Sequence, residues 1–183
     1  MQGTRLTLAL AAALLALAAA PAEAPAARGL LAPAQACPGQ SRAGAAVDRQ
    51  LRAMRCLTNF ARRQRGLPPL RRVRALDRAA GRKSADILRC DEFSHEACGR
   101  EFTYWVQRFG YLRRCSRVGE NIAWGTGRLG TPRSLFSAWL RSPGHRANIL
   151  RREYEELGLG LRTGRLEGNG GARVWTQEFG GDC

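Results

Sequence analysis

Histidine and lysine are nearly missing from this chain. It has two histidines, His95 and His145, and one lysine, Lys83, against 29 arginines among its 30 basic residues. The net charge of +15 is therefore carried by arginine, in a sequence otherwise dominated by alanine, leucine and glycine. GC-rich coding accounts for that bias as well as a binding adaptation does. The densest basic cluster, Arg71-Arg72-Val73-Arg74, has no interleaved aromatics, which argues against a specific nucleic-acid site. What the charge does imply is a weak attraction to anionic polymers. No two cysteines stand as Cys-x-x-Cys, which argues against a zinc knuckle. Past the N-terminus, no apolar run approaches the ~20 residues a membrane helix needs.

The N-terminus is where the apolar residues gather. Arg5 leads into an uninterrupted run from Leu6 to Ala20, followed by prolines and small residues. This is the pattern of a secretory signal peptide over residues 1–26, with cleavage after Ala22 or Ala26 as competing sites. A membrane anchor would need a longer run and a basic flank. Residues 27–40, rich in Ala and Pro and without periodicity, read as a flexible leader, and residues 41–183 as one domain with a core of its own. Six cysteines in an exported chain imply disulfides, although six allow 15 pairings and sequence alone does not choose among them. The expected location is outside the cell, or in the periplasm or cell envelope.

Apolar spacing of three and four predicts a helix from Gly44 to Arg65, stopped at Gly66. A second helix is expected from Asp77, as N-cap, to Leu88, with Leu76, Ala80, Ser84 and Ile87 facing inward. A third pattern covers Glu101 to Phe109, and a fourth helix starts at Pro132 and runs to Arg141. A short helical piece holds His145 to Leu150. Strand candidates are Gly119–Gly125, Glu156–Leu161 and Arg173–Phe179, the last two joined through a glycine-rich hairpin. Helices first and an antiparallel sheet later favour an α+β fold.

Four stretches set polar or ionisable residues among aromatics and glycines: Phe93-Ser94-His95, Gly119-Glu120-Asn121-Ile122-Ala123, Ser142-Pro143-Gly144-His145-Arg146-Ala147-Asn148 and Trp175-Thr176-Gln177-Glu178-Phe179-Gly180. Together with Leu57-Thr58-Asn59, Arg62, Gly66-Leu67-Pro68-Pro69-Leu70 and Trp139, they resemble, in order, the motifs of the CAP superfamily of cysteine-rich secretory, antigen 5 and pathogenesis-related 1 proteins. The bacterial secreted members are the most similar. The resemblance implies an α-β-α sandwich with a small antiparallel sheet between helical layers. It also implies one open cleft faced by His95, Glu120 and His145, with Ser94, Asn121, Ser142 and Asn148 as supporting residues. Eukaryotic relatives carry a second glutamate where this chain has Ser142.

Two imidazoles and a carboxylate suit a first-row metal, Zn²⁺ above all, with no cofactor required. His95, Glu120 and His145 are thus candidate metal ligands and, if the cleft is catalytic, candidate acid, base and stabiliser. The expected function is a non-enzymatic binding module for a ligand at the cell envelope or outside the cell. A metal-dependent or metal-regulated hydrolase of peptide or envelope material, and a lipid or sterol binder, are the alternatives. Chain order suggests the pairs Cys37–Cys56, Cys90–Cys98 and Cys115–Cys183. The run Gly125 to Gly130 matches G-x-G-x-x-G but lacks the βαβ unit and acidic residue of a dinucleotide site, and reads as a flexible loop at the cleft rim.

Overall fold

A computed structural model describes residues 29–113, 115 and 117–183. The signal-peptide stretch, residues 1–26, lies outside the described residues. Among the described residues, five α-helices surround a four-stranded sheet. The helices are α1 (Val47–Arg63), α2 (Arg74–Arg89), α3 (Tyr104–Arg108), α4 (Pro132–Arg141) and α5 (Pro143–Leu150). The strands are β1 (Arg71–Arg72), β2 (Arg117–Gly125), β3 (Glu156–Leu166) and β4 (Asn169–Gly181), in the order β1-β3-β4-β2. The expected α+β architecture is present. The sheet is mixed rather than purely antiparallel, because the two residues of β1 run parallel to the start of β3. No helix among the described residues is long and apolar enough to cross a membrane.

The layering follows from alternation on the strands. Leu157, Leu159, Leu161, Trp175 and Phe179 point to one face and form the main core with Met54, Leu57 and Ala61 of α1 and Phe136 and Trp139 of α4. The opposite face carries α2, and it carries it very closely. A Cβ on Gly158 would fall 2.0 Å from the backbone carbon of Leu76, and one on Gly160 would fall 2.2 Å from the carbonyl oxygen of Ala80. Two glycines in alternate positions of β3 thus let the helix backbone rest on the strand. That contact brings the α2 side chains against the sheet, where Ser84 and Thr176 hydrogen-bond through their hydroxyls at 2.9 Å.

Asp77 is not the N-cap of α2. Val73 occupies that position, and Asp77 sits in the first turn, its carboxylate accepting from the Leu159 N–H at 3.0 Å and from Arg72. Gly66 ends α1 with φ +64°, the left-handed conformation that glycine adopts without steric cost. α3 is shorter than its apolar pattern and stops before Gly110, whose φ is +76°.

Residues 29–40 are not a loose leader. Leu30, Ala32 and Cys37 are fully buried in the main core. Arg133 of α4 donates to the Ala32 carbonyl at 2.8 Å and to Gln40 Oε1 at 2.7 Å, and Gln40 donates to the Pro33 carbonyl. An Ala/Pro-rich stretch lacks periodicity because it follows a groove instead of forming an element. Disulfides join Cys37 to Cys56, Cys90 to Cys98 and Cys115 to Cys183.

Arg62 is the most heavily used buried charge. It is fully buried and donates to the carbonyls of Pro68, Ile149, Arg151 and Tyr154. Burial lowers its guanidinium pKa to about 10, so it remains charged at neutral pH. Two of those carbonyls close the C-terminal end of α5, so one side chain of α1 fixes the helix that carries His145.

Candidate functional site

β2 is an edge strand, and its alternation aims successive residues to opposite faces. Glu120 points toward α2. Asn121 points toward α5. The two histidines reach this edge from opposite layers: His95 lies in the loop after α2, and His145 on α5. They meet at a cleft of about 430 Å³ lined by His95, Glu120, Ser142, His145, Asn148 and Arg151 among others.

Glu120 is buried, and its Oε1 lies 2.7 Å from His95 Nδ1. The same oxygen is 3.9 Å from Nζ of Lys83, which is only 2% exposed and donates to the His95 carbonyl. One lysine thus holds both the backbone of His95 and the carboxylate that orients its ring. The His95 side chain is half exposed, so the ring edge not bound to Glu120 is open to the cleft. Burial, and then the proximity of His95, push the His145 pKa below the ordinary imidazole value, which keeps that ring neutral at pH 7.

A polar chain supports His145 from the other face. Asn121 donates to the His145 carbonyl at 3.1 Å and to Gln177 Oε1 at 3.0 Å. Asn148 donates to Asn121 Oδ1 and to the Glu120 carbonyl. Gln177 in turn donates to Thr58 of α1 at 2.9 Å. Ser142 is the N-cap residue of α5 and lines the cleft. Ser94 instead stabilises the His95 loop, its hydroxyl accepting from the Glu96 N–H.

Two residues join this site that the sequence did not offer as site members: Lys83 and Glu178. Glu178 stands opposite Glu120 in the β2–β4 register and is completely buried. Burial first, and then the neighbouring Glu120 carboxylate, hold its pKa well above the usual carboxylate range. Oε2 of Glu120 and both oxygens of Glu178 are buried without a hydrogen-bond donor among the described residues. A proton retained between the two carboxylates supplies one. Lys83 had a signal, as the only lysine in the chain and on the inner stripe of α2 between Ala80 and Ile87. Glu178 had one too, as the ionisable residue of the Trp175–Gly180 stretch, but β4 is buried on both faces there and shows no polar alternation to say which face it takes.

The site is not a ready three-ligand cage. Among the described residues, the one set of three His, Cys, Asp or Glu donor atoms within 4.8 Å of one another is Cys115, Glu156 and Cys183, whose sulfurs are bonded to each other. Glu120 stands behind His95 as its hydrogen-bond partner, not beside both imidazoles as a third ligand. Both imidazoles, His95 and His145, line the cleft. The loop from Gly125 to Gly130 does not line this cleft. It is closed by bonds from the Leu129 and Gly130 amides to the Thr126 carbonyl, and the Gly130 carbonyl accepts from the Trp175 indole.

Comparison with known proteins bears on the family and the fold. The family model described as the cysteine-rich secretory protein family, CAP, matches residues 56–179. The uncharacterised protein YkwD of Bacillus subtilis is 34% identical over 125 residues, 67% of this chain and 44% of that protein, so the chain spans less than half of this relative's length. Among solved structures, an extracellular protein of Bacillus anthracis containing an SCP domain superposes with a TM-score of 0.59 at 24% identity, over 75% of this chain and 44% of that one. An outer surface protein of Borrelia burgdorferi superposes at 0.64 and 15% identity, over 76% and 97%. With the fold, the order of its motifs and the family model in agreement, the chain belongs to the CAP, or cysteine-rich secretory protein, family.

Proposed function

We propose that this protein is a non-enzymatic CAP-domain binding module that works outside the cytoplasm, and that the cleft between α5 and the His95 loop takes its ligand. The observation that carries this reading is the position of Glu120. The carboxylate at the cleft is already engaged by His95 and Lys83, so what the cleft offers a ligand is two imidazoles, hydroxyl and amide groups, and Arg151. Those groups bind and orient; none is an activated nucleophile. A divalent cation such as Zn²⁺ would be held by His95 and His145, with Glu120 fixing the His95 ring, and would supply Lewis acidity or a bridge to an anionic ligand group. Three disulfides support an oxidising location, as does likeness to an extracellular SCP-domain protein.

Zinc titration by calorimetry is the test of the imidazole pair. Wild type should show one site of modest affinity, weakened at least about tenfold in His95→Ala and in His145→Ala. Identical heats in all three proteins would remove the metal from this reading. A second reading, a hydrolase, is favoured by the same 2.7 Å His95–Glu120 bond, which orients an imidazole as a base is oriented. Turnover of peptide or envelope material by the wild type, abolished in Glu120→Gln, would establish it and overturn the non-enzymatic reading.

A further inference from the structure

On the α2 face, away from the cleft, two adjoining hollows of about 580 and 370 Å³ share Arg78, Arg82 and Phe109 and form one groove between α2, α3 and β3. Arg74, Arg78 and Arg82 recur every fourth residue on α2, so their side chains stand in one exposed row. Arg108 of α3 and Arg162 of β3 flank the row. Arg162 lies over Gly81, where a Cβ would come 3.2 Å from its guanidinium. The acidic residue lining the groove, Asp77, is already paired with Arg72. The five other arginines have no carboxylate within 4.0 Å among the described residues.

Like charges four residues apart repel one another, and each adds cost to the helix unless an anion is present. Two of these arginines are nevertheless held in place. The Arg78 guanidinium lies 4.1 Å from the Phe109 ring centre, and that of Arg82 lies 5.7 Å from Trp105. Trp105 and Phe109 are themselves stacked, and Trp105 is anchored by its indole N–H to Asp86. A guanidinium resting on an aromatic face keeps its N–H edge free, and that edge matches two oxygens of a phosphate. The groove therefore presents ordered, unpaired forks in a row, which is complementary to an anion that repeats along a chain.

We propose that this groove binds a linear phosphate-bearing polymer of the cell envelope. The choice of an envelope polymer over a nucleic acid rests on the extracytoplasmic reading given above; the groove itself shares no lining residue with the His95–His145 cleft.

Fluorescence anisotropy with labelled poly(glycerol phosphate) and the purified chain tests the proposal. Arg78→Gln/Arg82→Gln should weaken binding at least about tenfold and flatten the slope of log K against log salt by about two. Arg49→Gln/Arg52→Gln, which removes the same charge from α1, should change affinity less than about twofold. Phe109→Leu keeps every charge but removes a platform, and should weaken binding severalfold. His145→Ala should leave binding unchanged, which separates this surface from the cleft. If circular dichroism shows the α2 double variant unfolded, Arg74→Gln/Arg108→Gln replaces it with the same expectation. Equal losses from the α1 and α2 variants would overturn the proposal, as would no binding by wild type at about 0.15 M salt. A single-stranded oligonucleotide of equal charge binding as tightly as the polymer would overturn the choice of partner.

Discussion

Glu178 shows how much a single buried group says about this cleft. Among the described residues it has no ion-pair partner of its own, since the nearby Lys83 Nζ lies against Glu120. Its proton affinity in the fold is raised above that in the unfolded chain by burial and by Glu120. Such a group contributes fully below its unfolded pKa, and the contribution is lost as pH rises through the folded one. Glu178→Gln, which mimics the protonated acid, should therefore leave the thermal midpoint unchanged near about pH 3.5, below the ordinary glutamate pKa, and raise it near about pH 8, in protein treated with a chelator. A midpoint shift of the same size at both pH values would show that the proton is not held there. His145 works in the opposite sense. Its folded pKa is depressed, so its contribution is complete above the ordinary imidazole pKa and declines as pH falls below it.

The element that sets the site's geometry is α2, and its seat on β3 is what positions Lys83 and the His95 loop. Gly160→Ala would drive a methyl group into the backbone of Ala80, which has no side-chain freedom to yield. The expected loss is about 3 kcal/mol or more, read from the denaturant midpoint. Gly164→Ala on the same strand meets only the tip of Leu88 at 3.1 Å and should cost less than about 1 kcal/mol. Equal losses at the two positions would mean that α2 does not depend on close approach. The edge position of β2 has a different consequence. With β4 on one side only, β2 leaves its other side to side chains, and Asn148 takes the Glu120 carbonyl that a further strand would otherwise pair.

At the scale of the whole molecule, the α+β class was legible in the sequence because α1 and α4 show apolar periodicity and the long strands follow late in the chain, whereas the layering came through the resemblance to the CAP motifs. The two histidines and Glu120 were legible through their motif neighbourhoods. What escaped was set by tertiary contact. Leu30 and Ala32 belong to the core although the segment around them has no period, and Asp77 was taken from capping by the Leu159 amide. The role of Glu120 behind His95, rather than beside His145, depends on which strand face each residue occupies at an edge, and that register is invisible until the sheet is assembled. Lys83 carries one more consequence. A lysine-specific endoprotease has a single target in all 183 residues, and it lies 2% exposed in the middle of a helix. No disulfide spans that position, so the two fragments should part on a gel without reductant. Folded protein should resist, and the rate of nicking should track the open population as urea is added. Rapid nicking without urea would mean that α2 opens by itself, and the cleft with it.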